Sequence, residues 1–129
     1  MLPIKDVMVT KMVTVSKETS IYEAARLLVE HRITGLPVVD DDRKLVGILS
    51  EFDILRLLVD EDVKKGQRVE DFMTHQVVAL EDDITAIDAC EFFLNNPNKR
   101  RVPIIHNGIL VGLVTRGDIV KLIVSLRKQ

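Results

Sequence analysis

Tryptophan is absent from the 129 residues, and there are only one tyrosine and four phenylalanines. Proteins that stack single-stranded bases on aromatic platforms need more such rings, so that class is set aside. A cationic excess is missing too. With 18 Lys and Arg against 20 Asp and Glu, the net charge is −2, which offers nothing to a nucleic-acid backbone. The single cysteine, Cys90, has no internal partner, as expected of a chain kept in a reducing cytoplasm. No apolar run reaches the length of a membrane span and no secretory signal pattern is present. His31, His75 and His106 have no zinc spacing. Neither a glycine-rich phosphate loop, a nucleophile elbow nor a triad order occurs, so no enzyme is expected. Asp40, Asp42 and Glu51 match three positions of a calcium loop, but Leu45 stands where that loop needs glycine and Lys44 where it needs a ligand.

What the chain does contain is one stretch written twice. Gly47-Ile48-Leu49-Ser50-Glu51-Phe52-Asp53 returns as Gly112-Leu113-Val114-Thr115-Arg116-Gly117-Asp118, at an offset of 65 residues. Met8 and Met73, Val13 and Val78, and Ala24 and Ala89 keep the same offset. A self-similarity of this length is a tandem repeat, here dividing the chain into residues 1–62 and 63–129. Each half would be marginal alone by surface-to-volume scaling.

Within each repeat the pattern predicts strand, helix, strand, strand, helix, an α+β arrangement of a small sheet covered by two helices. Short helical turns are expected at Ile4–Met8 and Val69–Met73, and short strands at Met12–Val15 and Val77–Leu80. A helix opens at Ser20, with Ser20 and Glu23 at capping-box spacing; its echo starts at Thr85 and stops before Pro97. Strands are expected to begin at Pro37 and Pro103, in keeping with the place proline takes in sheets. They turn at 40–44 and at Asn107-Gly108, a hairpin signal, and return over Leu45–Leu49 and Leu110–Val114. Final helices are expected from Asp53 to Val59 and from Asp118 to Leu126.

Ser50 and Thr115 stand where a strand hands over to a helix, and Asp53 and Asp118 fall in the first helical turn. A hydroxyl there caps the helix and a carboxylate complements its dipole. The same groups suit a nucleotide. An ionised carboxylate can accept from both hydroxyls of a ribose, and a hydroxyl beside helix-start N–H groups can hold a phosphate.

The motifs Gly35-Leu36-Pro37-Val38-Val39-Asp40 and Val46-Gly47-Ile48-Leu49-Ser50-Glu51-Phe52-Asp53 have partners in Val102-Pro103-Ile104-Ile105 and Val111-Gly112-Leu113-Val114-Thr115-Arg116-Gly117-Asp118. The chain thereby resembles a CBS-domain pair, or Bateman module, over its whole length. The resemblance implies two mostly antiparallel sheets packed about a pseudo-two-fold axis, with an adenosyl ligand in the cleft between repeats. That ligand would be AMP, ADP, ATP, NAD or S-adenosylmethionine, with no cofactor required. Asp53 and Asp118 would then bind ribose, and Ser50, Thr115, Arg101 and Arg116 phosphate. Val13, Thr14, Pro37, Val78, Ala79, Pro103 and Ile104 would line the adenine. The implied role is a non-catalytic sensor, forming a homodimer and regulating an unidentified protein in trans. A purely structural dimerisation module is the alternative.

Overall fold

The computed structural model describes residues 2–60 and 67–127; the expected boundary between 62 and 63 lies outside them. The chain divides into two compact units. The first is Val13–Val77; the second joins Met1–Met12 to Val78–Gln129. Each unit therefore borrows a short segment from the other repeat.

The first unit contains α1 (Ile21–His31), β1 (Gly35–Val39), β2 (Leu45–Ser50), α2 (Glu51–Ile54) and α3 (Arg56–Val59), completed by a 3-10 turn at Val69–Asp71. β1 and β2 pair antiparallel, Gly35 opposite Ser50. The second unit contains a 3-10 turn at Ile4–Asp6, then β3 (Leu80–Glu81), α4 (Ala86–Asn95), β4 (Arg101–His106), β5 (Ile109–Thr115) and α5 (Arg116–Arg127). β3 runs parallel to β4 and β4 antiparallel to β5, Arg101 opposite Thr115. Both antiparallel ladders shift register at matching places, Val38/Val39 and Ile104/Ile105.

Four expectations need correction. Met12–Val15 is not a strand, since only Val15 bridges Val38, in parallel, and its counterpart expected over Val77–Leu80 is a strand only at Leu80–Glu81. The strands also do not begin at their prolines. Pro37 and Pro103 each sit third in a strand, opposite Ile48 and Leu113. Ile48 exchanges both its backbone bonds with Thr74, and Leu113 both of its own with Val9. Those groups therefore point away from the prolines, and the missing proline N–H leaves no gap in the ladder. The Ser20–Glu23 capping box is absent: Ser20 Oγ accepts from Tyr22 N at 3.3 Å, while Glu23 is gripped by the Arg26 guanidinium. Finally, the helix expected over Asp53–Val59 starts at Glu51 and breaks at Leu55, where bonds from Leu55 to Phe52 and from Leu58 to Leu55 replace the four-residue ladder.

Each unit has its own core. Ile21, Ala24 and Leu28 of α1 pack with Leu36, Val38, Leu49 and Val69 in the first; Ala89 and Phe93 of α4 pack with Ile4, Val102, Ile104 and Val114 in the second. The repeated glycine has a packing reason. A Cβ on Gly47 would meet Met73 Sδ at 2.6 Å, and one on Gly112 would meet Met8 Sδ at 2.4 Å. The methionine of the borrowed segment fills the space above the glycine of the host sheet, so the two residue types are kept together in both repeats.

In the second unit, Asp82 joins three segments. Its Oδ1 bonds His106 Nδ1 at 3.0 Å and its Oδ2 lies 3.5 Å from Lys5 Nζ. The hydrogen bond from His106 chiefly holds its carboxyl below the usual aspartate range; desolvation, the next largest effect, opposes this, and the Lys5 charge adds to the lowering. A carboxylate with a depressed folded pKa stabilises above its unfolded pKa and loses that contribution as pH falls through the folded value. Asp82→Asn should thus melt below the wild type at neutral pH, with the gap closing below about pH 4. A gap that stays constant from pH 7 to pH 3 in thermal unfolding would rule the charge out as its source.

Candidate functional site

Both strand-to-helix junctions are built alike, with no loop between strand and helix. Ser50 ends β2 and α2 follows; Thr115 ends β5 and α5 follows. In the first unit Ser50 N donates to Asp53 Oδ2 at 2.9 Å and Asp53 N to Ser50 Oγ at 3.3 Å. In the second, Thr115 N donates to Asp118 Oδ2 at 2.8 Å and Asp118 N to Thr115 Oγ1 at 3.1 Å. These are reciprocal capping boxes with Asp in place of the usual Glu or Gln. Capping and ligand binding are not exclusive here. The cap engages Oδ2, and a carboxylate has a second oxygen with acceptor capacity of its own. All four side-chain-bearing residues are half-buried.

The surroundings of the two junctions differ in charge. Arg101 stands across the ladder from Thr115, where the first unit has Gly35 across from Ser50. Arg116 N donates to Arg100 O at 3.0 Å, and the equivalent bond in the first unit runs from Glu51 N to Thr34 O at 2.9 Å. Cationic positions in the second unit are thus matched by neutral or acidic ones in the first. The Arg116 side chain turns back to the loop before β4: Nε donates to Lys99 O at 2.8 Å and Nη2 to Pro97 O and Asn96 O.

Among the residues expected to line adenine, Val78 and Ala79 come just before β3, outside its pairing with β4, which starts at Leu80 opposite Ile104. Val78 is exposed and Ala79 half-buried. Pro103 is buried, whereas the Ile104 side chain is fully buried within the second core. In the first unit Val13 is half-buried against the core, Thr14 is half-buried and Pro37 is buried.

A cavity of about 280 Å³ opens beside Asp118, lined by Asp6, Val7, Lys121, Leu122 and Ser125. Lys121, Leu122 and Ser125 follow Asp118 at helical spacing, a signal the sequence carries; Asp6 comes from a distant segment and carries none. A larger cavity, about 530 Å³, lies at the far end of β1 and β2 from Ser50. Its lining sets Glu18, Asp40, Asp41 and Glu70 against Lys17 and His75, an acidic excess that makes a poor setting for a phosphate. Among the described residues, no group of three or more His, Cys, Asp or Glu is placed to hold a metal ion, and no helix is long and apolar enough to cross a membrane.

The family model for the CBS domain matches twice, over residues 4–60 and 69–125. The chain belongs to the CBS domain family. Its two copies make it a tandem CBS pair of α+β class, each copy a small sheet with helices. CBSX2 from Arabidopsis thaliana, solved in complex with AMP, has a TM-score of 0.85 at 31% identity, covering 98% of this chain and 99% of that one. The CBS domain pair of protein MJ0100, in complex with 5′-methylthioadenosine and S-adenosyl-L-methionine, has a TM-score of 0.78 at 31% identity over 96% of this chain and 97% of that one. By sequence, the chloroplastic CBS domain-containing protein CBSX1 of Arabidopsis thaliana is 33% identical over 89% of this chain, which spans 60% of its length. The chain spans 90% of the uncharacterized protein MJ1426 of Methanocaldococcus jannaschii, 30% identical to it, and only 21% of the inosine-5'-monophosphate dehydrogenase of Staphylococcus epidermidis, 38% identical over the part matched.

Proposed function

We propose that this CBS pair is a non-catalytic sensor that binds an adenosyl compound through its repeated hydroxyl/aspartate motifs. The observation that carries the reading is the duplicated junction: an aspartate fixed at the same strand-to-helix junction in each unit, its Oδ2 held by the cap. The carboxylate's second oxygen and the neighbouring helix-start amides offer acceptors and donors for ribose and phosphate. The AMP complex of CBSX2 and the adenosyl complex of MJ0100 support the ligand class. AMP, ADP, ATP, NAD and S-adenosylmethionine all present the adenosine that these contacts would take. Ligand binding shifts the population of conformers, and a partner protein acting in trans reads the shift.

The chain is further proposed to act as a homodimer. α3 leaves Leu58 93% exposed, and α5 exposes Val120, Ile123, Val124 and Leu126, apolar area of the kind that marks an interface. Light scattering that gives a monomer at tens of micromolar, roughly where an ordinary specific interface holds, would overturn the dimer.

The ligand reading is tested by thermal unfolding against the five compounds. A ligand of the native state at about a hundred times its Kd stabilises by roughly 2.7 kcal/mol, which moves the midpoint by several degrees. At least one compound should do so; an unmoved midpoint with all five at millimolar concentration would favour a structural dimerisation module.

A further inference from the structure

A cation in the first turn of a helix opposes the helix dipole, so Arg116 at the start of α5 needs another reason to be there. Its guanidinium supplies one. Nε bonds Lys99 O at 2.8 Å, Nη2 bonds Pro97 O, and Asn96 O lies 3.5 Å from Nη2. Its backbone N–H takes the next carbonyl, Arg100 O, at 3.0 Å. The loop is held from its other end too: Asn96 Nδ2 donates to Phe92 O at 2.8 Å, and Lys99 N to Asn96 O at 2.9 Å. Residues 96–100 are thus strapped between the end of α4 and the first residue of α5. A planar fork with several donors in fixed directions spans carbonyls in a geometry that a compact ammonium on a flexible stem does not reproduce.

In the first unit the corresponding connection is only residues 32–34, closed by Arg32 in the left-handed conformation at the end of α1. The residue equivalent to Arg116 there is Glu51, whose side chain has no donor. The strap therefore belongs to the second unit alone, on the loop that carries Lys99 and Arg100 up to Thr115.

We propose that Arg116 is a positioning residue: it does not touch the ligand but fixes the loop whose backbone carries Lys99 and Arg100 to the Thr115 junction, where the phosphate would be held. This rests on the nucleotide reading above. The strap makes phosphate recognition depend on carbonyl contacts that adenosine recognition does not need.

The test is calorimetry with AMP and with adenosine on the wild type, Arg116→Lys and Arg116→Ala, together with amide hydrogen exchange over residues 96–101 in the unliganded proteins. Both variants should weaken AMP roughly tenfold, the scale of one charge-assisted bond, leave adenosine within about twofold, and exchange faster in the loop. Arg116→Lys keeping near-wild-type AMP affinity would overturn the proposal, because lysine can hold a phosphate as a point charge. Equal losses for AMP and adenosine would also overturn it, as would unchanged exchange. A wild type that binds neither compound would remove the nucleotide reading and this role with it, while the exchange data would still report whether the strap holds the loop.

Discussion

Replacing Asp118 by alanine should weaken AMP binding about 10- to 100-fold, and Asp53→Ala only a few-fold. The size follows from hydrogen bonds to a charged group, about 1.5–3 kcal/mol, lost where the ribose hydroxyls would sit. The asymmetry follows from charge. Around Thr115 the second unit places Arg101 across the ladder and Arg100 at the backbone bond to α5; around Ser50 the first unit places Gly35 and Thr34 in those positions. Glu51 adds a negative charge beside Ser50, which repels a phosphate. Sterics add less, for Phe52 is 77% exposed and a Cβ on Gly117 would make only an ordinary contact, 3.6 Å from Thr115 Oγ1. Each alanine also removes half of a capping box, at about 1 kcal/mol of stability, so titrations belong well below the melting temperature. Asp118→Asn supplies the control, since its amide oxygen can still accept from Thr115 N while the charge is gone. Equal losses at Asp53 and Asp118, or the reverse order, would sink the asymmetry. No loss at either would sink the ribose role of both.

The parts of this site that are legible in the sequence are the local ones. A strand, a hydroxyl and an aspartate three residues on announce a capped junction wherever they occur, and the repeat at 65 residues announces two. The hairpin at Asn107-Gly108 is legible for the same reason: both residues take positive φ, 50° and 83°. What stays hidden depends on partners far along the chain. The carbonyls that hold Arg116 lie 17 to 20 residues away, so its charge alone suggested a free phosphate donor. Pro37 and Pro103 could be placed inside strands only once Thr74 and Val9 were known to take the opposite backbone groups. At Ser20 the local rule itself was outcompeted, because Arg26 stands one turn beyond Glu23 and offers a charged fork where the cap offers one neutral amide.

The borrowed segments make the second large effect, which is on stability. Ile4 near the start of the sequence should behave as a core residue of the second unit, and Val69 as one of the first. Both are fully buried, and each opens a 3-10 turn. Ile4 N donates to Ile84 O at 2.9 Å, and Val69 N to Thr19 O at 2.8 Å, so each turn is docked by its backbone as well as by its side chain. Truncating a buried isoleucine to alanine removes the transfer energy of its methyl groups and leaves a cavity, about 2–5 kcal/mol; for the smaller valine roughly 2 kcal/mol is expected. Against a total of about 5–15 kcal/mol for a domain, Ile4→Ala should lower the guanidinium midpoint sharply. It should also speed amide exchange in β4 and β5 before it does so in β1 and β2, and Val69→Ala should do the opposite. Leu2→Ala is the comparison: this residue lies in the same segment but is exposed, and a surface change of that kind stays within about 0.5 kcal/mol. If Ile4→Ala proves as mild as Leu2→Ala, the opening segment is not part of the second unit's core, and Met8 over Gly112 loses its structural meaning with it.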